Sequence, residues 1–163
     1  MKKTDNADKY ENLKLNNQLC FLLYVGAKGI INLYTPYLKA IDLTYTQYIV
    51  MMVLWEHKQI LTRHLKERLY LDSGTLTPVL NRLEQKRFII KNRSQDDARD
   101  LLVSITELGE NLKDKAVKIP ESIEICMQKL EYSRELKHML ESMMEILKES
   151  KNNIQNNGLL GGI

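Results

Sequence analysis

Cys20 and Cys126 are the two thiols of this chain, and they bound the covalent chemistry it could perform. They lie far apart, form no C-x-x-C pair and have no histidine at ligand spacing, because His57, His64 and His138 are scattered. That pattern points away from a zinc site and from a structural disulfide framework. A single cysteine on the apolar face of a helix is more often a small buried hydrophobe than a reactive thiol. No cation flanks Cys20 to promote a thiolate, so the residues alone leave both roles open. A second chemistry is electrostatic. The net charge is only +3. Lys58, Arg63, Lys66, Arg68, Arg82, Lys86, Arg87, Lys91, Arg93 and Arg99 nevertheless crowd into one stretch, where they outnumber the acids. Such a bias usually marks a solvated face; on a helix-turn-helix it becomes the footprint of a nucleic acid.

That stretch, Ile60 to Thr106, reads as a helix, a tight turn, a second helix and a two-stranded hairpin with a charged tip. In the second helix Leu76, Leu80 and Leu83 recur at four and three residues, with Val79 beside them, so one face is buried. Asp72 is placed to cap its start. The opposite face carries Gly74, Thr77, Asn81, Arg82 and Gln85, groups able to meet base edges or phosphates. Beyond Phe88 the period changes: Ile89 to Arg93 and Leu101 to Ile105 are short extended segments flanking the polar Ser94 to Asp100. This is the order of a winged helix-turn-helix, whose second helix enters a major groove. Two residues strain the pattern. Pro78 sits inside the helix, at a cost of about 3 kcal/mol. Arg87 stands where glycine is the cheaper residue for a left-handed exit.

The flanking segments must hold this unit in place. Leu13 to Leu33 reads as a long amphipathic helix with Leu13, Asn16, Cys20, Leu23, Ala27, Ile30 and Tyr34 on one stripe. Gly26 and Gly29 weaken it, and Pro36 interrupts it or starts a new turn. Thr44 to Glu56 is a second helix, almost wholly apolar past its first turn, and belongs in the core. His57 to Leu69 contains the first helix of the helix-turn-helix. Thr106 caps a helix over Glu107 to Lys118, Pro120 marks a restart, and Glu121 to Leu130 carries Cys126. Tyr132 to Asn152 is a last amphipathic helix with Leu136, Met139, Leu140, Met143, Ile146 and Leu147 on its apolar side. The end, "NNIQNNGLLGGI", reads as a loose tail. A small winged unit offers nothing obvious to cover the apolar faces of both terminal regions, so a second copy of the chain is expected to do so, the alternative being that they fold back on their own subunit.

With 163 residues, 44% hydrophobic and 28% charged, the chain has the make-up of one ordinary globular domain. "MKKTDNADKYEN" has no apolar core of a signal peptide. The longest apolar run, Ile49 to Trp55, is far short of the roughly 20 residues that span a bilayer. A cytoplasmic protein without membrane association is expected.

"LYLDSGTLTPVLNRLEQ" followed by "RSQDDARDLLVSITELG" resembles the MarR family, specifically its OhrR-type branch of organic-hydroperoxide sensors. The resemblance covers roughly Leu15 to Ala116. The branch tolerates proline at the position of Pro78, and its wing signature is matched by Asp97, Arg99 and Ile105-Thr106. Arg87 is a departure, since glycine is usual there. The implied fold is mainly α with a small β-hairpin wing: one MarR-type domain with a winged helix-turn-helix over about 45–106. Dimerisation helices would cover about 10–40 and 107–152, and a tail 153–163. The implied partners are a second copy, a pseudo-palindromic double-stranded operator and peroxide as the signal, with no cofactor or metal. The DNA-contacting set would be Asp72, Ser73, Thr75, Thr77, Arg82, Lys91, Asp97 and Arg99. Arg99 would enter a minor groove, held by Asp97; Arg82 would reach a major groove, and Lys91 a phosphate.

The same resemblance recasts the thiols. "NNQLCFLLY" is similar to the sensing segment in which the cysteine attacks peroxide and becomes a sulfenic acid. Tyr34, fourteen residues on, and Tyr45 match family tyrosines that reach the sulfur from the partner subunit. With eight tyrosines in the chain, ordinary aromatic packing is the bland alternative. Cys126 falls near the resolving cysteine of two-cysteine members, and is otherwise a bystander. The expected activity is a non-enzymatic, redox-sensing transcription regulator, most simply a repressor released when Cys20 is oxidised and joined to Cys126. A MarR regulator gated by a phenolic molecule, a thiol peroxidase and a helical interaction protein are the competing classes. Against the peroxidase, this chain lacks the threonine and proline that peroxiredoxin-like enzymes place before their cysteine.

Overall fold

In the computed structural model, residues 10–94, 100–127 and 133–157 are described. Two short 3-10 turns, Glu11–Leu13 and Leu15–Asn17, precede helix α1 (Leu19–Ala40) and helix α2 (Tyr45–His57). Strand β1 (Gln59–Leu61), helices α3 (Thr62–Leu69) and α4 (Ser73–Gln85), and strands β2 (Ile89–Arg93) and β3 (Leu101–Ile105) follow. Helices α5 (Glu107–Ala116), α6 (Ile119–Met127) and α7 (Ser133–Asn157) complete the chain. The chain divides into two compact units, Met1–Ile119 and Pro120–Ile163.

The expected mainly helical fold with a β wing is present, with one strand more than the sequence reading gave it. β1 adds to the hairpin, making an antiparallel sheet of order β1-β3-β2 with Ile60 opposite Val103 and Lys91 opposite Val103 on the other side. Three residues are too few to show a period, which is why His57 to Leu69 reads as helix from sequence. The first helix also differs. It starts at Leu19, later than expected, and runs through Pro36 to Ala40. At the far end, α7 extends into the segment expected to be a loose tail, reaching Asn157.

The core of the first unit lies where the helix-turn-helix meets α2 and the sheet. Val50, Met51, Leu54, Leu65, Leu83 and Val103 are all fully buried there. A capping box starts α2: the Gln47 N–H donates to Thr44 Oγ1 at 3.3 Å and the Thr44 N–H to Gln47 Oε1 at 3.1 Å. At its other end Trp55 Nε1 donates to Gly109 O at 2.9 Å, tying α2 to α5. Gly109 is required by closeness: a Cβ there would run into Phe88 O and lie 2.9 Å from Ile105 Cγ1.

Of the stripe expected to be buried on the first helix, Leu13, Asn16, Cys20 and Ala27 are exposed within one chain, and Leu23, Ile30 and Tyr34 are half-buried. Cys20 is exposed, as are Leu19, Leu22, Tyr24 and Val25, and Leu38 alone on α1 is fully buried. Side chains at Gly26 and Gly29 would meet nothing within 4 Å. By length and composition α1, with mean hydropathy 1.2, would also pass for a membrane span, although Ile49 to Trp55 does not. In the second unit, Met139, Ile146 and Leu147 on α7 are exposed too. The first helix of the first unit and the last helix of the second each carry exposed apolar side chains.

Candidate functional site

The turn between α3 and α4 shows how the sequence builds a face for reading another molecule. Asp72 caps α4, accepting from the Thr75 N–H at 2.8 Å and from Thr75 Oγ1 at 3.1 Å. The Thr75 N–H bond is the main reason the Asp72 carboxyl is held below its ordinary pKa. Lys66 Nζ donates to Ser73 Oγ at 3.3 Å, bringing a cation to the same end of the helix. Leu76, Leu80 and Leu83 face the core while Ser73, Thr75, Thr77, Asn81 and Arg82 are exposed. Arg82 has no ion-pair partner among the described residues and is free to reach outward. Pro78 lies in the middle of α4, where its ring removes the bond to the carbonyl of Gly74. The exit is left-handed at Arg87, φ 61°, as the argument for glycine there anticipates. Thr106 Oγ1 donates to Arg87 O at 2.6 Å, fastening that strained turn to the start of α5.

Ser73, Thr77 and Asn81 line one side of a groove of about 280 Å³, with Thr62, Lys66, Lys91 and Asp100 around them. Lys91, expected to meet a phosphate, is already engaged. Its ammonium pairs with Glu84 at 3.0 Å and donates to Asn81 Oδ1, and the side chain is 16% exposed. As placed, it braces α4 against β2 instead of presenting a free charge. Asp97 and Arg99 lie outside the described residues. Their neighbour Asp100 is buried, accepts from Thr62 Oγ1 and from the Leu101 N–H at 2.9 Å, and has Arg63 Nε at 3.6 Å. Burial pushes its pKa up, but the hydrogen bonds from Thr62, Leu101 and Arg63 and the Arg63 charge together keep the carboxyl below its ordinary pKa. Sequence reasoning missed this residue; a carboxylate beside a basic wing looks like a surface charge.

The residues expected to sense peroxide are divided along α1. Cys20 is the second residue of the helix, exposed, in a first turn with no side-chain cap. Tyr34 lies fourteen residues further along the same helix, about 21 Å away at 1.5 Å per residue. There it meets Tyr45 edge-on, with ring centroids 5.0 Å apart, and Tyr48 at 6.1 Å. The two tyrosines singled out from the sequence thus stand together, and a third, Tyr48, joins them. Its position one turn after Tyr45 on α2 was the signal for it. Burial is the largest cause raising the pKa of all three phenols, and at Tyr34 and Tyr48 their closeness to one another adds to it. They stay protonated donors at neutral pH. Cys126 falls within α6, and its side chain lies outside the described residues.

A chain of this build has relatives. The organic hydroperoxide resistance transcriptional regulator of Bacillus subtilis is 44% identical over 141 residues, spanning 86% of this chain and 96% of that one. This chain belongs to the MarR/OhrR-type family of transcription regulators. Residues 32–116 also match the family model described as transcriptional regulator SarA/Rot. Among solved structures, reduced AbfR bound to DNA superposes with a TM-score of 0.71 at 34% identity, covering 86% of this chain and 97% of that one. The disulfide-formed AbfR superposes with a TM-score of 0.56 at 32% identity, over 88% of this chain and 98% of that one. The MarR/OhrR-type assignment makes α3 and α4 the helix-turn-helix of a regulator and β2–β3 its wing.

Proposed function

We propose that this protein is a homodimeric DNA-binding regulator that a hydroperoxide switches through Cys20. The observation carrying this reading is the unbroken course of α1 from Leu19 to Ala40. Cys20 and the tyrosine cluster are fixed about 21 Å apart by that helix, so within one chain none of the phenols of Tyr34, Tyr45 and Tyr48 reaches the sulfur. An antiparallel pairing of two α1 helices brings Cys20 of one copy to Tyr34 and Tyr45 of the other. It also covers the exposed apolar face of α1, which explains that face without a membrane. The sensing site is then made at the subunit interface, twice, by the two-fold axis.

The chemistry follows. The Cys20 sulfur attacks one peroxide oxygen, the alcohol departs, and a sulfenic acid remains, with the protonated phenols donating to the sulfur and its oxygen. Cys126 of the partner subunit then condenses with the sulfenic acid, releasing water and forming a disulfide between subunits. The DNA-bound and disulfide-formed states of AbfR support such a switch by similarity. A disulfide needs its Cα atoms within about 7 Å. Drawing the two subunits to that distance alters the spacing of the two α4 helices, which must stay about one helical turn of DNA apart to fill two half-sites. Asp72, Ser73, Thr75, Thr77 and Arg82 of α4, with Asp97 and Arg99 of the wing, are the proposed DNA contacts; Lys91 braces them.

The test is fluorescence anisotropy on an operator selected from random DNA, before and after stoichiometric organic hydroperoxide. The parent should bind when reduced and let go when oxidised, as a covalent dimer on a non-reducing gel. Cys20→Ser should stay bound throughout, and Cys126→Ser should stop short of the covalent dimer. Release of Cys20→Ser by peroxide refutes the reading.

A further inference from the structure

Among the described residues, four that are not glycine have positive φ: Asp42, Lys58, Tyr70 and Arg87. Three of them have an evident compensation. Asp42 pairs with Lys86 at 3.1 Å, Lys58 pairs with Glu110, and Arg87 keeps a charged, hydrated side chain in water while its carbonyl accepts from Thr106. Tyr70 has none. It closes α3 at φ 54°, ψ 33°, in the left-handed region where glycine carries no Cβ penalty. The Leu71 N–H donates back to Lys66 O at 3.0 Å, so the turn itself needs only backbone. The ring is 62% exposed and makes no hydrogen bond or ring contact among the described residues. A bulky aromatic thus occupies a glycine position and contributes neither to the core nor to the cover of its own chain.

Strain and exposure together point to a partner outside the chain. Tyr70 lies in the turn of the helix-turn-helix, just before Asp72 and Ser73, where Lys66 already brings an ammonium to Ser73 Oγ. We propose that Tyr70 is a DNA contact whose phenol donates to a backbone phosphate of the operator, setting how deep α4 enters the groove. This rests on the DNA-binding reading above. The donor is neutral, and that gives the contact a signature: losing a neutral donor weakens binding without changing the number of counterions released, whereas losing a lysine on phosphate lowers the salt slope.

The experiment measures operator Kd against salt for the parent, Tyr70→Phe, Tyr70→Gly and Lys66→Met, with Tm and sedimentation alongside. Tyr70→Phe should bind about ten- to 150-fold more weakly, the worth of one hydrogen bond to a charged oxygen, with an unchanged slope. Tyr70→Gly should bind at least as weakly while its Tm equals or exceeds the parent's, because the strained turn is relieved. Lys66→Met should lower the slope by about 0.9. Parent-like Kd in both Tyr70 variants overturns the proposal, as does weak binding by Tyr70→Gly with full binding by Tyr70→Phe, or a loss that tracks dissociation of the dimer. A parent with no salt-dependent affinity for any selected DNA would instead overturn the DNA-binding reading itself.

Discussion

If each sensing site is built from two subunits, defects in separate chains should complement one another. One chain carries Cys20→Ser, and the other carries Tyr34→Phe with Tyr45→Phe. Each homodimer then has two damaged sites. In the heterodimer one site lacks both the thiol and the hydroxyls, while the other joins an intact Cys20 to intact phenols and is whole. A hydrogen bond to a developing charge is worth about 1.5–3 kcal/mol and a neutral one about 0.5–1.5. Each phenol therefore gains about 1–1.5 kcal/mol as charge develops, and two on the reacting sulfur about 2–3 kcal/mol, roughly a 30- to 150-fold rate difference. Differently tagged chains, purified as the mixed dimer, can be mixed rapidly with hydroperoxide and quenched with a sulfenic-acid trap. The heterodimer should oxidise its single Cys20 at the parent's rate with half the amplitude per dimer. The Tyr34→Phe, Tyr45→Phe homodimer should be slower by that factor. A heterodimer as slow as the tyrosine-deficient homodimer would mean that Cys20 reacts without phenols from the other chain, and the argument from the length of α1 would fail.

Gly109→Ala forces a Cβ against Phe88 O and Ile105 Cγ1. A cost of about 1–3 kcal/mol, the usual range for overpacking, should appear as a lower urea midpoint, and an unchanged midpoint would show that α5 yields freely. The alkaline side of the stability curve is the other expectation. Tyr34, Tyr45 and Tyr48 have folded pKa values raised above 10.0, so the folded state holds their protons more tightly than the unfolded chain. Stability from this source is complete below pH 10 and is lost as pH rises through the folded values. Urea midpoints should fall more steeply above pH 10 in the parent than in a Tyr34→Phe, Tyr48→Phe variant, and parallel curves would count against the raised values.

The helix-turn-helix was legible because its signals are local. Leu76, Leu80 and Leu83 repeat at helical spacing, and all three are buried. Asp72 and Thr106 are short polar side chains at helix starts, and each accepts from the third residue of its helix. Arg87 was recognisable as a left-handed position because the residues before it end a helix and those after it begin a strand. What escaped the sequence reading was set by long-range contacts. β1 is a strand because Gln59–Leu61 pairs with Leu102–Ser104, a partner far along the chain that leaves no mark on three residues. The burial of Asp100 depends on Thr62 and Arg63, and that of Lys91 on Glu84 and Asn81. A charge reads as solvated until its partners are placed.

Tyr34 and Cys20 show a further limit, which lies in the chain itself. On one helix they share an apolar stripe, so periodicity groups them as neighbours of one buried face. The folded chain leaves Cys20 exposed at one end of α1 and packs Tyr34 into an aromatic cluster toward the other. Periodicity identifies a face and is silent on what covers it. Within a single copy, much of α1 is exposed, its two glycines have nothing within 4 Å, and Cys20 lies about 21 Å from its proposed donors. These features become consistent once a second α1 runs alongside in the opposite direction. The glycines then allow two backbones to approach closely, the apolar stripe is buried, and each thiol meets the other chain's phenols. The same packing that stabilises the dimer would thus assemble the sensor, so loosening the α1 pair should slow Cys20 oxidation and weaken operator binding together.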